Sequence, residues 1–123
     1  MAFLNDHVLD NGLSAITSDA DKLVICSQEP ATYAEANATY ALGDKESPTV
    51  SSPTDGVSSG RRVIVSAIAD GSVTATGTAS HWALVDTVNS RLLAAGSLSA
   101  SQAVTSGNTF TLGEFSITIP DPA

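Results

Sequence analysis

The chain has 123 residues, 42% of them hydrophobic and 15% charged, and a formal net charge of −8. This length suits one domain, since two cores of half the size would each bury too little apolar surface. The acidic charge argues against nucleic acid as a partner, because such a surface repels phosphate backbones. Only 5% of the residues are aromatic. A core must therefore be filled mainly by Val, Ile, Leu and Ala, a mixture typical of β proteins.

The first predicted element is a short N-terminal helix. Asn5 is suited to be its N-cap, and Leu4 and Leu9 are spaced as a hydrophobic staple. Asn11 and Gly12 supply a left-handed stop, because both residue types tolerate positive φ. The pattern therefore predicts a helix of two turns at most.

Two apolar segments follow the predicted helix, at residues 13–17 and 22–27. The small polar residues 18–21 between them suit a tight connection. These segments are therefore predicted to form a β-hairpin, with one strand on each side of the turn.

A second short helical segment is predicted after Pro30. Thr32 and Glu35 have the Ser/Thr-x-x-Glu spacing of a capping box, and the Ala-rich continuation favours one or two helical turns. The apolar residues 40–42 come next, and Gly43 is expected to end that segment.

Residues 46–60 are rich in Ser, Pro, Thr and Gly, which predicts a loop or a loosely paired arm. An interdomain linker is the alternative interpretation. Too few residues precede it for a separate core without metal or disulfide. We therefore expect a single β domain over residues 1–123.

Turn signals at Asp70-Gly71, Asn89-Ser90 and residues 106–108 divide the C-terminal half into three predicted hairpins. Their strands are residues 61–69 and 72–78, residues 80–86 and 91–98, and residues 102–105 and 109–112. A last strand is predicted where large apolar residues alternate with Ser116 and Thr118.

These elements predict a mainly β fold: an antiparallel β-sandwich of about 7–9 short strands, with one or two short helical segments in the N-terminal half. Trp82 is placed in the core rather than on a sugar-binding or peptide-binding surface. The predicted core residues are Val63, Val65, Trp82, Leu84, Phe110, Phe115, Ile117 and Ile119.

The sequence carries no catalytic motif, since GxSxG, P-loop, HExxH, CxxC and EF-hand patterns are all missing. Cys26 lies in an apolar run and is interpreted as a buried small hydrophobe. Asp19 and Asp21 supply too few oxygens for Ca²⁺ and fit a turn. We predict a non-enzymatic protein with no catalytic, cofactor-binding or metal-binding residue and no small-molecule substrate. The enzyme alternative is a small hydrolase that uses Asp or Glu with His81.

A membrane location is not expected. No apolar run approaches the roughly 18 residues that cross a bilayer. The first ten residues have neither a basic n-region nor an apolar h-region, so synthesis in the cytoplasm is expected.

Four segments of the chain carry a resemblance to a known class of proteins. They are FLNDHVLDNGLSAI; KLVICSQEPATYAEA with the following YALGDK; GRRVIVSAIADGSVTATGTASHWALVD; and SLSASQAVTSGNTFTLGEFSITIPDP. Together they cover most of the chain, and each is a pattern of strands and turns. In these segments the chain resembles small structural proteins encoded in the virion gene blocks of tailed bacteriophages and prophages.

The resemblance implies a virion component made in the bacterial host cytoplasm, with no active-site residues to transfer. It implies a capsid or head accessory protein of the decoration or cement type. The alternative is a tail-associated or fibre-associated structural protein, or a small host-binding module. The implied partners are the major capsid protein or tail proteins, together with self-association on the particle.

Contact with neighbouring subunits is predicted for residues 2–13 and 46–60. An apolar residue near a chain end must fold back or insert into a partner, and long loops in compact domains are usually functional or disordered. The alternative is a frayed terminus and a loop without a partner. The candidate contact residues are Phe3, Leu4, Leu9, Val50, Pro53 and Val57.

Overall fold

The fold was analysed in a computed structural model, which describes residues 6–56 and 60–119. Helix α1 spans Asp6–Asp19, and a π-helix spans Glu35–Thr39. The strands are β1 Lys22–Cys26, β2 Ala41–Glu46, β3 Thr54–Asp55, β4 Arg61–Val65, β5 Ile68–Val73, β6 Gly77–Asp86, β7 Arg91–Val104, β8 Thr109–Leu112 and β9 Phe115–Ile119.

The strands form two antiparallel sheets. The larger sheet has the order β7-β6-β1-β2-β5-β8, and the smaller one has the order β3-β4-β9. Every ladder in both sheets is antiparallel. The predicted mainly β, sandwich-like fold with helical segments in the N-terminal half is confirmed.

Helix α1 is longer than predicted, because it continues through Gly12 and takes in residues 13–17. The predicted stop and the predicted hairpin with β1 are therefore wrong. Leu9, Leu13 and Ile16 recur at helical spacing; the first two are fully buried, and Ile16 packs against the core. Burial of this stripe outweighs the cost of about 1 kcal/mol for a glycine inside a helix.

Strand β1 lies between β2 and β6 and is buried on both faces. Leu23 and Ile25 belong to the main core, while Val24 and Cys26 belong to a second cluster on the opposite face. A strand covered on both sides has a continuous apolar sequence, as this one does.

The second cluster is covered by the helical turns that follow Pro30. One bond of the predicted capping box is confirmed, since the Glu35 amide donates to Thr32 Oγ1 at 3.2 Å. The Glu35 carboxylate accepts from the Ala31 amide at 2.8 Å, one residue before the Thr32 amide that the box would use. The turns bring Ala36 against Cys26. The helical segment therefore closes the outer face of the β1–β6 pair.

Two glycines that were predicted to end or turn strands lie inside strands instead. β2 continues through Gly43, where a Cβ atom would lie 2.5 Å from the Ser72 carbonyl oxygen. Asp70-Gly71 does not turn the chain, because it lies within β5 and the Phe110 ring packs against the Gly71 backbone. Both glycines therefore permit close packing, and the first predicted C-terminal hairpin is wrong.

The second predicted hairpin is confirmed as β6 and β7, joined by a turn at residues 87–90. In the third, the chain turns where the Asn108 amide donates to the Thr105 carbonyl at 3.1 Å. However, β8 pairs with β5, not with β7. The local turn signal was therefore right, but the predicted strand pairing was wrong.

The predicted core residues divide by depth. Val63, Val65, Leu84 and Phe110 are buried, and the alternation in β9 is confirmed. Trp82, Phe115 and Ile117 are only partly buried and pack against the border of the core instead of lying inside it. Ile119 is partly buried and belongs to neither core cluster.

Of residues 46–60, for which the sequence predicts a loop or loosely paired arm, Glu46 is the last residue of β2 and residues 47–56 form a loosely paired arm. Val50 makes an isolated bridge with Val65, and the two residues of β3 pair with β4. The arm is therefore attached to the edge of the smaller sheet.

Candidate interaction surfaces

The structure places three of the six candidate contact residues. Leu9 is only 2% exposed, so little of its side chain is left for a partner. Val50 and Pro53 are partly exposed on the arm. Phe3, Leu4 and Val57 lie outside the described residues, as does the predicted N-cap Asn5.

Arg61 joins the two segments that were predicted to contact neighbours. Its Nε donates to Asp10 Oδ1 at 2.7 Å, and its Nη1 donates to Asp55 Oδ1 at 2.6 Å. Hydrogen bonds from these carboxylates, that of Asp10 first, raise the pKa of Arg61 above its usual range. Helix α1 and β3 are therefore held side by side, and the two segments form one surface.

A second candidate surface is a cleft of about 310 Å³, here called the β7–β8 cleft. Its apolar lining comes from Trp82, Leu98, Leu112 and Phe115, with Gln102 and Glu114 among its polar residues. Gln102 Nε2 donates to the Thr111 carbonyl at 2.8 Å, which ties β7 to β8 beside the cleft.

The cleft exists because β7 bulges away from β6. Ser97 is paired with His81 and Gln102 with Ala79, so four residues of β7 lie opposite one residue of β6. Gly96 precedes the bulge, and a Cβ atom there would lie 2.8 Å from Trp82 Cζ2. The missing side chain lets the indole ring lie against β7 and form one wall of the cleft.

A third candidate surface is the turn between β6 and β7. The Asp86 carboxylate, 2% exposed, accepts hydrogen bonds from the amides of Val88 at 3.1 Å and Asn89 at 3.2 Å. It also accepts bonds from the side chains of Asn89 at 2.8 Å and Arg91 at 3.1 Å. These bonds, the one from the Asn89 side chain first, lower the pKa of Asp86. The turn is fixed, and it presents Val88 with 84% exposure.

The surroundings of His81 and Cys26, the side chains with the greatest chemical reactivity in the described part of the chain, are defined by a few contacts. His81 Nδ1 lies 2.8 Å from Ser80 Oγ, and its Nε2 lies 3.5 Å from Ser97 Oγ. Burial raises the pKa of the Cys26 thiol to about 11, so little of it is the nucleophilic thiolate at neutral pH. Within residues 6–56 and 60–119, no cluster of three His, Cys, Asp or Glu side chains could hold a metal ion.

No helix formed by the described residues is long and apolar enough to span a membrane.

The chain was compared with known proteins at the level of family, sequence and structure. No family model, curated protein or solved structure matches it.

Sequence reasoning missed the β7–β8 cleft and the exposed Val88. One signal for the cleft is visible in the sequence: no charged residue occurs between Arg91 and Glu114. A run of this length without charged residues indicates that part of the protein surface is uncharged. The position of Val88 had no comparable signal, since its exposure follows from the hydrogen bonds of the turn.

Proposed function

We propose that the protein is a non-enzymatic structural component of a tailed-bacteriophage virion. Its role there is that of a capsid or head accessory protein, of the decoration or cement type, which packs against neighbouring virion proteins. The virion assignment is supported by the four resembling segments, which cover most of the chain. The packing mode is supported by the candidate surfaces.

The observation that carries the packing mode is the β7–β8 cleft. Its walls include Trp82 and Phe115, two of the few large aromatic residues in the chain. Aromatic side chains in a desolvated pocket are typical anchors of protein interfaces. The cleft borders the edge strand β7, so an entering segment of a partner would meet unpaired backbone as well as apolar side chains.

The charge distribution supports a protein partner. Beside the cleft lies a stretch without charged residues, although the chain as a whole carries a net charge of −8. The acidic surface favours solubility before assembly. The neutral stretch can then be buried on a particle without desolvating charges, which would be costly.

The surface around Arg61 gives the proposal a second site of contact. The helix and the arm that meet there are the segments that the sequence predicts to touch neighbours. A lattice protein needs more than one contact surface, because each copy has several neighbours.

Copy number in purified particles tests the proposed role. Gel densitometry of particles from the encoding strain should show an abundance comparable to that of the major capsid protein. A handful of copies per particle would favour the tail or host-binding alternative. Complete absence from particles would contradict a virion role.

A pair of variants tests whether the cleft is the contact. Ala100 and Ala69 are both exposed alanines, one beside the cleft and one on β5. Ala100→Lys should lower incorporation into particles, while Ala69→Lys should not. Equal incorporation of both variants would show that the cleft is not the contact. The virion role itself would still be decided by the copy number in particles.

A further inference from the structure

The β7–β8 cleft contains hydrogen-bond acceptors that have no partner among the described residues. Glu114 contributes a carboxylate that makes no hydrogen bond or ion pair with any of them. Gln102 Nε2 donates to the Thr111 carbonyl, which leaves Gln102 Oε1 as a second such acceptor. No Lys, Arg or His side chain of the described residues lines the cleft. The cleft therefore has one unpaired negative charge and no positive group to balance it.

The rest of the lining is largely apolar and partly aromatic. Trp82 and Phe115 are in ring contact, and Leu98 and Leu112 add aliphatic surface. A long side chain with a cationic end suits both parts of such a lining, because its stem covers apolar surface while its charged end reaches acceptors. Guanidinium and ammonium groups also bind favourably beside aromatic rings.

We propose that the cleft binds a long basic side chain, Arg or Lys, that projects from a neighbouring protein. Its stem packs on the apolar wall, and its cationic end pairs with Glu114 and donates to Gln102 Oε1. The volume of about 310 Å³ lies at the lower end of the roughly 300–1,000 Å³ of ligand pockets, which suits one inserted side chain. This inference rests on the proposed packing role and deepens it by naming the chemistry of the contact.

The exposure of Glu114 makes this pairing inexpensive. A buried carboxylate would have to lose its water before it could bind a cation, and that desolvation can exceed the attraction. Glu114 is exposed, so the ion pair can form and stay partly hydrated. The apolar wall and the charge therefore contribute together.

The basic side chain is assigned to a different protein, because this chain has few cations to offer. It has five Lys and Arg residues in all. Four of them already make hydrogen bonds or ion pairs within the fold: Lys22, Lys45, Arg61 and Arg91. The fifth, Arg62, is partly buried, and its Nε is fully so. A net charge of −8 also attracts a basic surface and repels a second acidic copy.

NMR titration of the isotope-labelled, purified chain with three short peptides tests the proposal. The peptides are acetyl-Gly-X-Gly-amide, where X is arginine, lysine or norleucine. Norleucine keeps an apolar stem but has no charge. The arginine and lysine peptides should give saturable amide shifts at residues 97–102 and 112–115, and norleucine should bind more weakly. The tighter of the two basic peptides identifies the preferred side chain.

Two variants locate the charge that matters. Glu114→Gln should weaken binding of the basic peptides by about three- to fivefold, the effect typical of an exposed ion pair. Glu29→Gln is the matched control, since it removes the same charge at an exposed position that does not line the cleft. The control should leave binding unchanged.

Three results would overturn the proposal: no saturable shift in the cleft residues, equal binding of the norleucine and basic peptides, or equal weakening by the two variants. If Glu114→Gln fails to fold, the comparison of the three peptides on the wild-type chain decides alone. Each of these results leaves the virion role intact, because that role is tested by copy number in particles. Absence from particles would contradict the virion role without changing the binding measured on the purified chain.

Discussion

The rings of Trp82 and Phe115 lie with their centroids 4.5 Å apart and their planes inclined by 38°. Trp82 belongs to β6 of the larger sheet and Phe115 to β9 of the smaller sheet. The pair therefore joins the two sheets where they meet at the β7–β8 cleft. Tilted ring pairs at this distance stabilise a fold beyond the area that they bury.

Phe115→Ala should lower the free energy of unfolding by about 2–3 kcal/mol, because it removes the ring contact and part of the packing between the sheets. The emission of Trp82, the only tryptophan, should also shift as its surroundings become wetter. Denaturant titration followed by fluorescence measures both effects. An unchanged midpoint with an unchanged spectrum would show that the rings do not couple the sheets.

Gly43→Ala should destabilise the fold by about 1–3 kcal/mol, because the added methyl group meets the Ser72 backbone inside the sheet. Gly113→Ala is the matched control, since a Cβ atom at Gly113 has nothing within 4 Å. The control should change stability by less than about 0.5 kcal/mol. Equal melting temperatures for the two variants would contradict the close approach of β2 and β5.

The Asp86 carboxylate should make the fold sensitive to acid. Its pKa is lower in the folded chain than the ordinary value of 3.8, so the folded state releases this proton more readily than the unfolded state does. Its stabilising contribution is therefore present above that value and is lost as the pH falls through the folded pKa.

Asp86→Asn removes this titration but leaves a side chain of similar shape. The wild-type melting temperature should fall more steeply than that of the variant between neutral pH and about pH 2. Parallel melting curves across this range would show that the turn does not depend on the charge of Asp86.

Cys26 should be unreactive in the folded protein. Burial raises the pKa of its thiol from 9.0 to about 11, so both access and thiolate formation are suppressed. A thiol reagent at mildly alkaline pH should modify the chain only after denaturant is added. Rapid modification without denaturant would mean that the second cluster is open to solvent.

Local patterns in the sequence predicted the elements whose signals do not depend on distant residues. The capping bond between Thr32 and Glu35, the β6–β7 hairpin and the alternation in β9 all follow from neighbours in the chain. Their geometry is fixed by nearby side chains, so one segment is enough to recognise them.

Tertiary packing decided the elements that were predicted wrongly. Gly12 and Gly71 carry strong local signals for a stop and a turn. Yet the apolar stripe of α1 keeps the first inside a helix, and the Phe110 ring packs against the second inside β5. The β7–β8 cleft was missed for the same reason, because it depends on where β8 pairs and on a bulge in β7.

The most direct test of the central claim is amide hydrogen exchange on the free protein and on purified particles that contain it. If the protein acts by packing against virion neighbours, residues 97–102 and the predicted contact segments 2–13 and 46–60 should be more protected in the particle than in the free protein. Equal exchange of all three segments in both states would contradict the claim that these surfaces are buried on assembly.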